Sequence, residues 1–424
     1  MQKIIAALLR LWRKEGVQGV VNDVKKNKVN SSLYRYFDWP LFILVICISL
    51  FGVVAIFSAT VSATEEEVTG LVNLLKTHST RYAGLQLLWM VIGVIAMFAM
   101  TLLDYHFFGK YSKFIYFANI FVLGLVLTVE AGRGGMSAFF TVSSSSLGER
   151  GIQPSEFSKV ALIICLAHTF SKRKHPVRSL NELLPTAAYA LIPVVLVVMQ
   201  PDVGTAIVAL VIYMILLYIS GTERKLIYGV ILSLILIAIP IWYYLNTASD
   251  NFRLTRILMW LNPSQYPDDA RQVINGQIAI GSGGWLGKGI GSLGSFASLG
   301  YIPDDHTDFC FAIVGETFGF VGCVILVLAF IAFLARLIYL AHSIEDKFGE
   351  YVVIGTAAMF IFHIFENICM ILGITPVTGI PLSFISYGGS NYLTSMMSLG
   401  LVMNVVMHSR QSRIEGNIRH VTPL

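Results

Sequence analysis

Asp308 is the residue of this chain best placed for acid–base chemistry. It stands in Tyr301-Ile-Pro-Asp-Asp-His-Thr-Asp-Phe309, immediately ahead of a long apolar run. Thr307 has the side chain of a helix N-cap, so the spacing predicts Asp308 in the first turn of the next helix. A carboxylate there suits the helix dipole without any further purpose. The same position, facing a polar substrate, suits a general base. A second pattern, Gln153-Pro-Ser-Glu-Phe-Ser-Lys159, opens another apolar run, with Pro154 fitted to a first turn. Glu156 and Lys159 are i,i+3 neighbours and can pair on one face, either locking a helix or forming a polar wall beside an amphiphilic substrate. A third set, Arg253, Arg256, Arg271 and Lys288, lies in a polar stretch at 246–307. Guanidinium forks match pyrophosphate or carboxylate, and contact with lipid headgroups accounts for them equally well.

Other residues carry less. Gly281-Ser-Gly-Gly-Trp-Leu-Gly-Lys-Gly-Ile-Gly291 fails the phosphate-loop pattern, because Gly289 follows Lys288 and position 282 is Ser. Close-approach backbone is what remains of it. Glu316 falls about two turns beyond Asp308, and hydrogen bonds between helices suffice for His363, Glu366 and Asn367. Cys47, Cys165, Cys310, Cys323 and Cys369 all fall in or beside apolar runs and read as packing residues. No ligand spacing for a metal is visible.

The elements that must hold these residues follow from composition. Of 424 residues 55% are hydrophobic and 13% charged, about half the roughly 25% charge of soluble domains. That is too little to clothe several soluble domains, a disordered chain or a coiled coil. Ten apolar runs approach the roughly 20 residues of a membrane span. They lie at about 41–63, 83–103, 114–131, 154–170, 184–200, 203–220, 226–245, 308–340, 351–372 and 388–408. The expected fold is an all-α polytopic membrane protein with a large extracellular loop, 246–307, between helices 7 and 8. It divides into a basic N-terminal segment (1–38), a membrane domain (39–408) and a tail (409–424). The connecting segments on one side carry 21 Lys and Arg and those on the other carry 8. That bias places both termini in the cytoplasm of a multi-pass protein. The N-terminal segment reads as an interfacial helix or as a basic tail that fixes topology. Gly/Pro-interrupted segments at 200–204 and 374–390 fall at outer span ends, where broken helices form binding sites in transporters.

Taken together, these motifs resemble the SEDS family (shape, elongation, division and sporulation). The matching segments are Ile152-Gln-Pro-Ser-Glu-Phe-Ser-Lys159, Gln200-Pro-Asp-Val-Gly-Thr-Ala206, Ile280-Gly-Ser-Gly-Gly-Trp-Leu-Gly-Lys-Gly289, His306-Thr-Asp-Phe309 and Thr375-Pro-Val-Thr-Gly-Ile-Pro381 with Ser386-Tyr-Gly-Gly-Ser390. The wording of two of them leans towards RodA-like elongation members. The resemblance implies a peptidoglycan glycosyltransferase in the bacterial cytoplasmic membrane. Such an enzyme polymerises lipid II at the outer face, beside a class B penicillin-binding protein and with no nucleic-acid partner. The acceptor hydroxyl displaces undecaprenyl pyrophosphate with inversion, and Asp308 maps to the base. Glu156, Lys159, Arg253, Arg256, Lys288, His306, Ser386 and Ser390 map to substrate-binding positions. No metal ligands are assigned, and a divalent cation, Mg2+ or Mn2+, remains open as a partner for pyrophosphate. Departures include Ser143–Ser146 ahead of Gln153, Gly315-Glu-Thr317, Asn367-Ile-Cys369 and Pro381-Leu-Ser383. A lipid II flippase is the competing expectation.

Overall fold

The computed structural model describes residues 31–60, 78–131, 140–144, 148–247, 252–292, 294–302 and 306–421. Each of the ten apolar runs is a helix. After a 3-10 turn at Ser31–Tyr36 come α1 (Trp39–Thr60), α2 (His78–Met100), the short α3 (Tyr105–Lys110) and α4 (Ser112–Ala131). An antiparallel hairpin follows, β1 (Phe140–Ser144) with β2 (Gly148–Ile152), in register Phe140 to Ile152. The chain continues as α5 (Pro154–Ser171), α6 (Leu180–Met199), α7 (Val203–Ile219) and α8 (Arg224–Thr247). Outside the span pattern lie α9 (Phe252–Leu261) and α10 (Pro267–Ser282). The last three helices are α11 (Cys310–His342), α12 (Lys347–Ile371) and α13 (Gly389–Val421). The segment 1–30, Asp304 and Asp305 lie outside the described residues.

Length and apolar composition alone single out α1, α2, α6, α11 and α12 as able to cross a membrane. α5 is central: fourteen of its eighteen residues are buried, and it packs on α4, α6, α7 and α12. Its charge therefore faces other helices rather than lipid, which is how a bilayer tolerates ionisable groups. α2 packs along α13, and a Cβ on Gly93 would stand 2.7 Å from the Tyr392 ring, the small-residue contact that lets membrane helices approach. α8 is the reverse case. It packs mainly on its chain neighbours α7 and α9, and Tyr228, Leu232, Ile235, Leu236 and Ile237 are exposed.

Within 246–307 the chain builds two helices and then runs back along α11. α11 breaks at Gly319 (φ +66), roughly 14 Å from its start at 1.5 Å per residue. The backbone groups freed there pair with the glycine-rich segment: Lys288 N–H with Glu316 O (2.9 Å), Gly289 N–H with Thr317 O (3.1 Å) and Phe320 N–H with Gly284 O (2.8 Å). Glycine at 287 and 319 lets the two strands of chain meet, since a Cβ on either would overlap the other's backbone. Trp285 and Leu286 are left pointing outward, 73% and 79% exposed. At the opposite end of the bundle, the buried Asp38 carboxylate joins Arg336 (2.8 Å) and Arg410, tying the start of α1 to α11 and α13.

Candidate functional site

Three helix interruptions meet at one place: the 306–309 turn before α11, the 372–388 connection between α12 and α13, and the α6–α7 turn. Asn367, wholly buried near the end of α12, donates its amide to Asp308 O (2.7 Å) and Ile380 O (2.8 Å). His306 O accepts the Tyr387 N–H (2.8 Å). These tertiary bonds hold residues 306–309 outside the helical path. α11 therefore begins at Cys310 with Phe309 at the cap, and Thr307 is not the N-cap that its side chain suggested. Asp308 sits in the turn before the helix, half-buried.

The carboxylate of Asp308 faces a notch walled by Gly379. A Cβ on Gly379 would lie 3.2 Å from Asp308 Oδ2 and 3.8 Å from Arg256 Nη1, and its φ of +74° is a glycine conformation. Arg256 reaches this point from α9 and donates to Val377 O (3.3 Å). Burial pushes its pKa below the usual guanidinium value, against the opposing field of Asp308. α9 is fastened over the site by Trp260 Nε1–H to Gly373 O (3.0 Å), and α10 by Gln277 Nε2–H to Leu372 O (3.0 Å). Arg253 lies one turn before Arg256 on α9; its side chain is not among those described.

Behind the Gly379 wall lies a second cluster. Lys159 Nζ donates to Glu156 Oε2 (2.8 Å) and approaches His363 Nε2 (3.1 Å). An ammonium has only donors, so Nε2 accepts, and Nδ1 carries the proton given to Ser383 Oγ at 3.2 Å. Asn391 (3.1 Å) and Thr394 (3.3 Å) add donors to the same Glu156 oxygen. Asp202, the N-cap of α7, accepts from Gln153 and Ser155 at 2.8 Å each. A cavity of about 30 Å³ separates this cluster from Gly379, Ile380 and Pro381.

The remaining candidates take positions that shape the site. The His306 ring packs at a tilt against Tyr82 (4.6 Å) and Tyr387 (5.7 Å), which also meet each other edge to face (5.3 Å). Ser386 Oγ accepts the Leu382 N–H (2.9 Å), and Ser390 Oγ accepts the Gln153 N–H (3.0 Å). Lys288 pairs with Glu316 at 2.6 Å, deep beside the α11 break. Sequence reasoning gave no individual role to Asp202, Tyr82, Ser383, Asn391 or Thr394. Of these only Asp202 left a local trace, an Asp at the cap position of Gln200-Pro-Asp-Val-Gly. Among the described residues no three His, Cys, Asp or Glu side chains converge as metal ligands. Asp308 faces the Arg256 guanidinium.

Comparison with known proteins gives a concordant picture. Residues 38–411 match the family model FTSW_RODA_SPOVE, described as "Cell cycle protein". The chain is 32% identical to stage V sporulation protein E of Bacillus subtilis, over 88% of this chain and 98% of that one. It is 30% identical to a probable peptidoglycan glycosyltransferase FtsW of Trichlorobacter lovleyi (87% and 93%). It is 32% identical to the peptidoglycan glycosyltransferase MrdB of Escherichia coli (75% and 84%). Among solved structures, a chain from a study of polymerisation and crosslinking by a peptidoglycan synthase complex superposes with a TM-score of 0.68 at 26% identity, covering 88% of this chain and 99% of that one. The rod shape determining protein RodA of Thermus thermophilus superposes at 0.60 with 25% identity, covering 87% and 96%.

Proposed function

This chain belongs to the FtsW/RodA/SpoVE family, and we propose from that membership and the Asp308 notch that it polymerises peptidoglycan glycan strands from lipid II. The protein is a multi-pass membrane glycosyltransferase. Its site lies at the outer membrane face, because the cation bias assigns the opposite end of the bundle to the cytoplasm. Asp308 is the general base. It takes the proton of the acceptor sugar hydroxyl as that oxygen attacks the anomeric carbon of the lipid-linked strand. The carbon–oxygen bond to pyrophosphate breaks on the far side, with inversion, and undecaprenyl pyrophosphate leaves.

The observation that carries this reading is one carboxylate and one guanidinium meeting at a glycine wall. In the free protein Arg256 sits in the field of Asp308. Pyrophosphate carries more charge than a carboxylate and matches the guanidinium fork, so the bound donor draws Arg256 away and uncovers the base. Arg253, one turn along α9, supports the same leaving group. The exposed, weakly packed α8 leads directly into α9, so a polyprenyl tail lying along α8 delivers its pyrophosphate to Arg256. The relative seen in a peptidoglycan synthase complex supports a class B penicillin-binding protein as partner.

The test is glycan assembly from labelled lipid II by purified protein, with and without that partner. Wild type is expected to polymerise, and Asp308→Asn to lose activity while melting normally. Native-rate polymerisation by folded Asp308→Asn removes the base assignment. Wild type that never polymerises with its partner, yet carries lipid II across liposomes, establishes a transporter instead.

A further inference from the structure

We propose that the end of the bundle opposite Asp308 holds a binding site for the phosphate of an anionic phospholipid headgroup. α5 and α7 end there and α12 begins there. Their ends enclose a cavity of about 190 Å³, walled by Arg173, Lys174, His175 and Lys347 over a floor of Phe170 and Tyr351, and among the described residues no acidic side chain lines it. The walls are held in advance. Glu223 N–H donates to Val177 O (3.0 Å), joining the loop after α7 to the loop after α5. Arg173 is braced on Glu182 O (2.9 Å). Ser171 and Ser220 both spend their hydroxyl protons inside their own helices, at 3.1 and 2.8 Å. The cations are therefore the donors available to a ligand.

Scattered cytoplasmic cations need only the positive-inside bias. Four basic side chains from two segments converging on one cavity that no carboxylate lines need more. Among the described residues Lys174 and His175 make no hydrogen bond or ion pair, whereas Arg173 lies 4.0 Å from the Glu182 carboxylate and Lys347 shares its charge with Glu350 (2.6 Å). A compact cation-lined cavity fits a phosphate ester. Its position at the ends of three helices, with a Tyr and a Phe ring 6.3 Å apart as floor, is headgroup depth with an apolar edge for the glycerol and acyl chains. An acidic peptide would call for an extended groove instead.

Full-length protein in detergent, titrated with phosphatidylglycerol and with phosphatidylcholine and read by native mass spectrometry, tests this. A cation at the headgroup surface contributes roughly fivefold in affinity. Lys174→Gln with Lys347→Gln should then weaken phosphatidylglycerol retention by about 25-fold. Lys110→Gln with Arg413→Gln removes the same charge from the same face and should change retention less than about twofold. All four side chains are exposed, and unchanged melting confirms that both variants fold. Equal retention by the two variants overturns the site. So does inorganic phosphate or an acidic peptide that binds the cavity more tightly than phosphatidylglycerol.

Discussion

Asn367→Leu separates the positioning of the base from the integrity of the fold. The amide nitrogen of Asn367 serves two carbonyls, Asp308 O at 2.7 Å and Ile380 O at 2.8 Å. Both partners are acceptors, which fixes the amide orientation and leaves Oδ1 without a hydrogen bond. Leucine keeps the branched shape, with somewhat greater bulk, and removes both donors. The Ile380 carbonyl is buried and loses its amide partner, at about 1–3 kcal/mol; the part-buried Asp308 carbonyl loses a net bond of about 0.5–1.5 kcal/mol. The sum, about 1.5–4.5 kcal/mol, falls on two loops rather than on a helix, so the bundle persists. What disappears is the bridge through Asn367 between Asp308 and Ile380, beside Gly379, while the Tyr387–His306 bond remains. A drift of about 1 Å in a reacting group costs on the order of 100-fold in rate. The expected result is a kcat about 100-fold lower with a small change in KM, measured on labelled lipid II with the partner present. Asn367→Asp, which lacks the amide donor and adds charge, should do no better. Native kcat in a normally folded Asn367→Leu protein would refute the argument.

Three further outcomes follow from the same geometry. Gly379→Ala adds a methyl 3.2 Å from Asp308 Oδ2 at a φ of +74°. Backbone strain of roughly 1–2 kcal/mol should lower the melting midpoint slightly while polymerisation falls at least about tenfold; equal activity would show that the notch is not the site. Lys159→Met strands the buried Glu156 charge and should cost about 3–5 kcal/mol in denaturant unfolding, with Glu156→Gln/Lys159→Met recovering much of it. Burial disfavours the charged form of Asp38, yet hydrogen bonds from Arg336, Arg410 and the Leu41 N–H outweigh it and hold the carboxyl below its usual range. A folded-state pKa that is depressed contributes stability above the unfolded value of about 3.9, lost as pH falls through the folded value. The gap in melting midpoint between wild type and Asp38→Asn should therefore be largest near neutrality and shrink on acidification; a constant gap would contradict the linkage.

The ten helices could be read from the sequence because each is a run of apolar residues long enough to count, and that signal is local. The Glu156–Lys159 pair was legible for the same reason, being one turn of one helix. What escaped depends on distant pieces of chain. Lys159 meets His363 across 204 positions, and nothing near either residue announces the other. Thr307 looks like a cap until Asn367 and Tyr387 pull its turn out of line. The glycines at 281–291 signal only close approach; that they fill a break at Gly319 is a match between two backbones. Lys288 read as a substrate cation, and only the fold shows Glu316 holding it.

The size of the rear cavity bears on how Glu156 and Lys159 act. They are 3% and 1% exposed, and the space beside them is about 30 Å³, room for one or two waters and far too small for a sugar. With the loop in this position the cavity admits water and no sugar ring. The pair's contacts reach the loop from behind: Lys159 meets His363, His363 meets Ser383, and Ser383 belongs to the segment that carries Gly379. Direct binding would require Gly379–Pro381 to swing outward, and that swing would break the Asn367–Ile380 bond first. The two roles differ in kinetics. If the pair is a brace, Glu156→Gln/Lys159→Met, which restores the fold without restoring charge, keeps a near-native KM and loses kcat. If substrate enters the rear cavity, the same double variant raises KM at unchanged stability, and the loop must open during turnover.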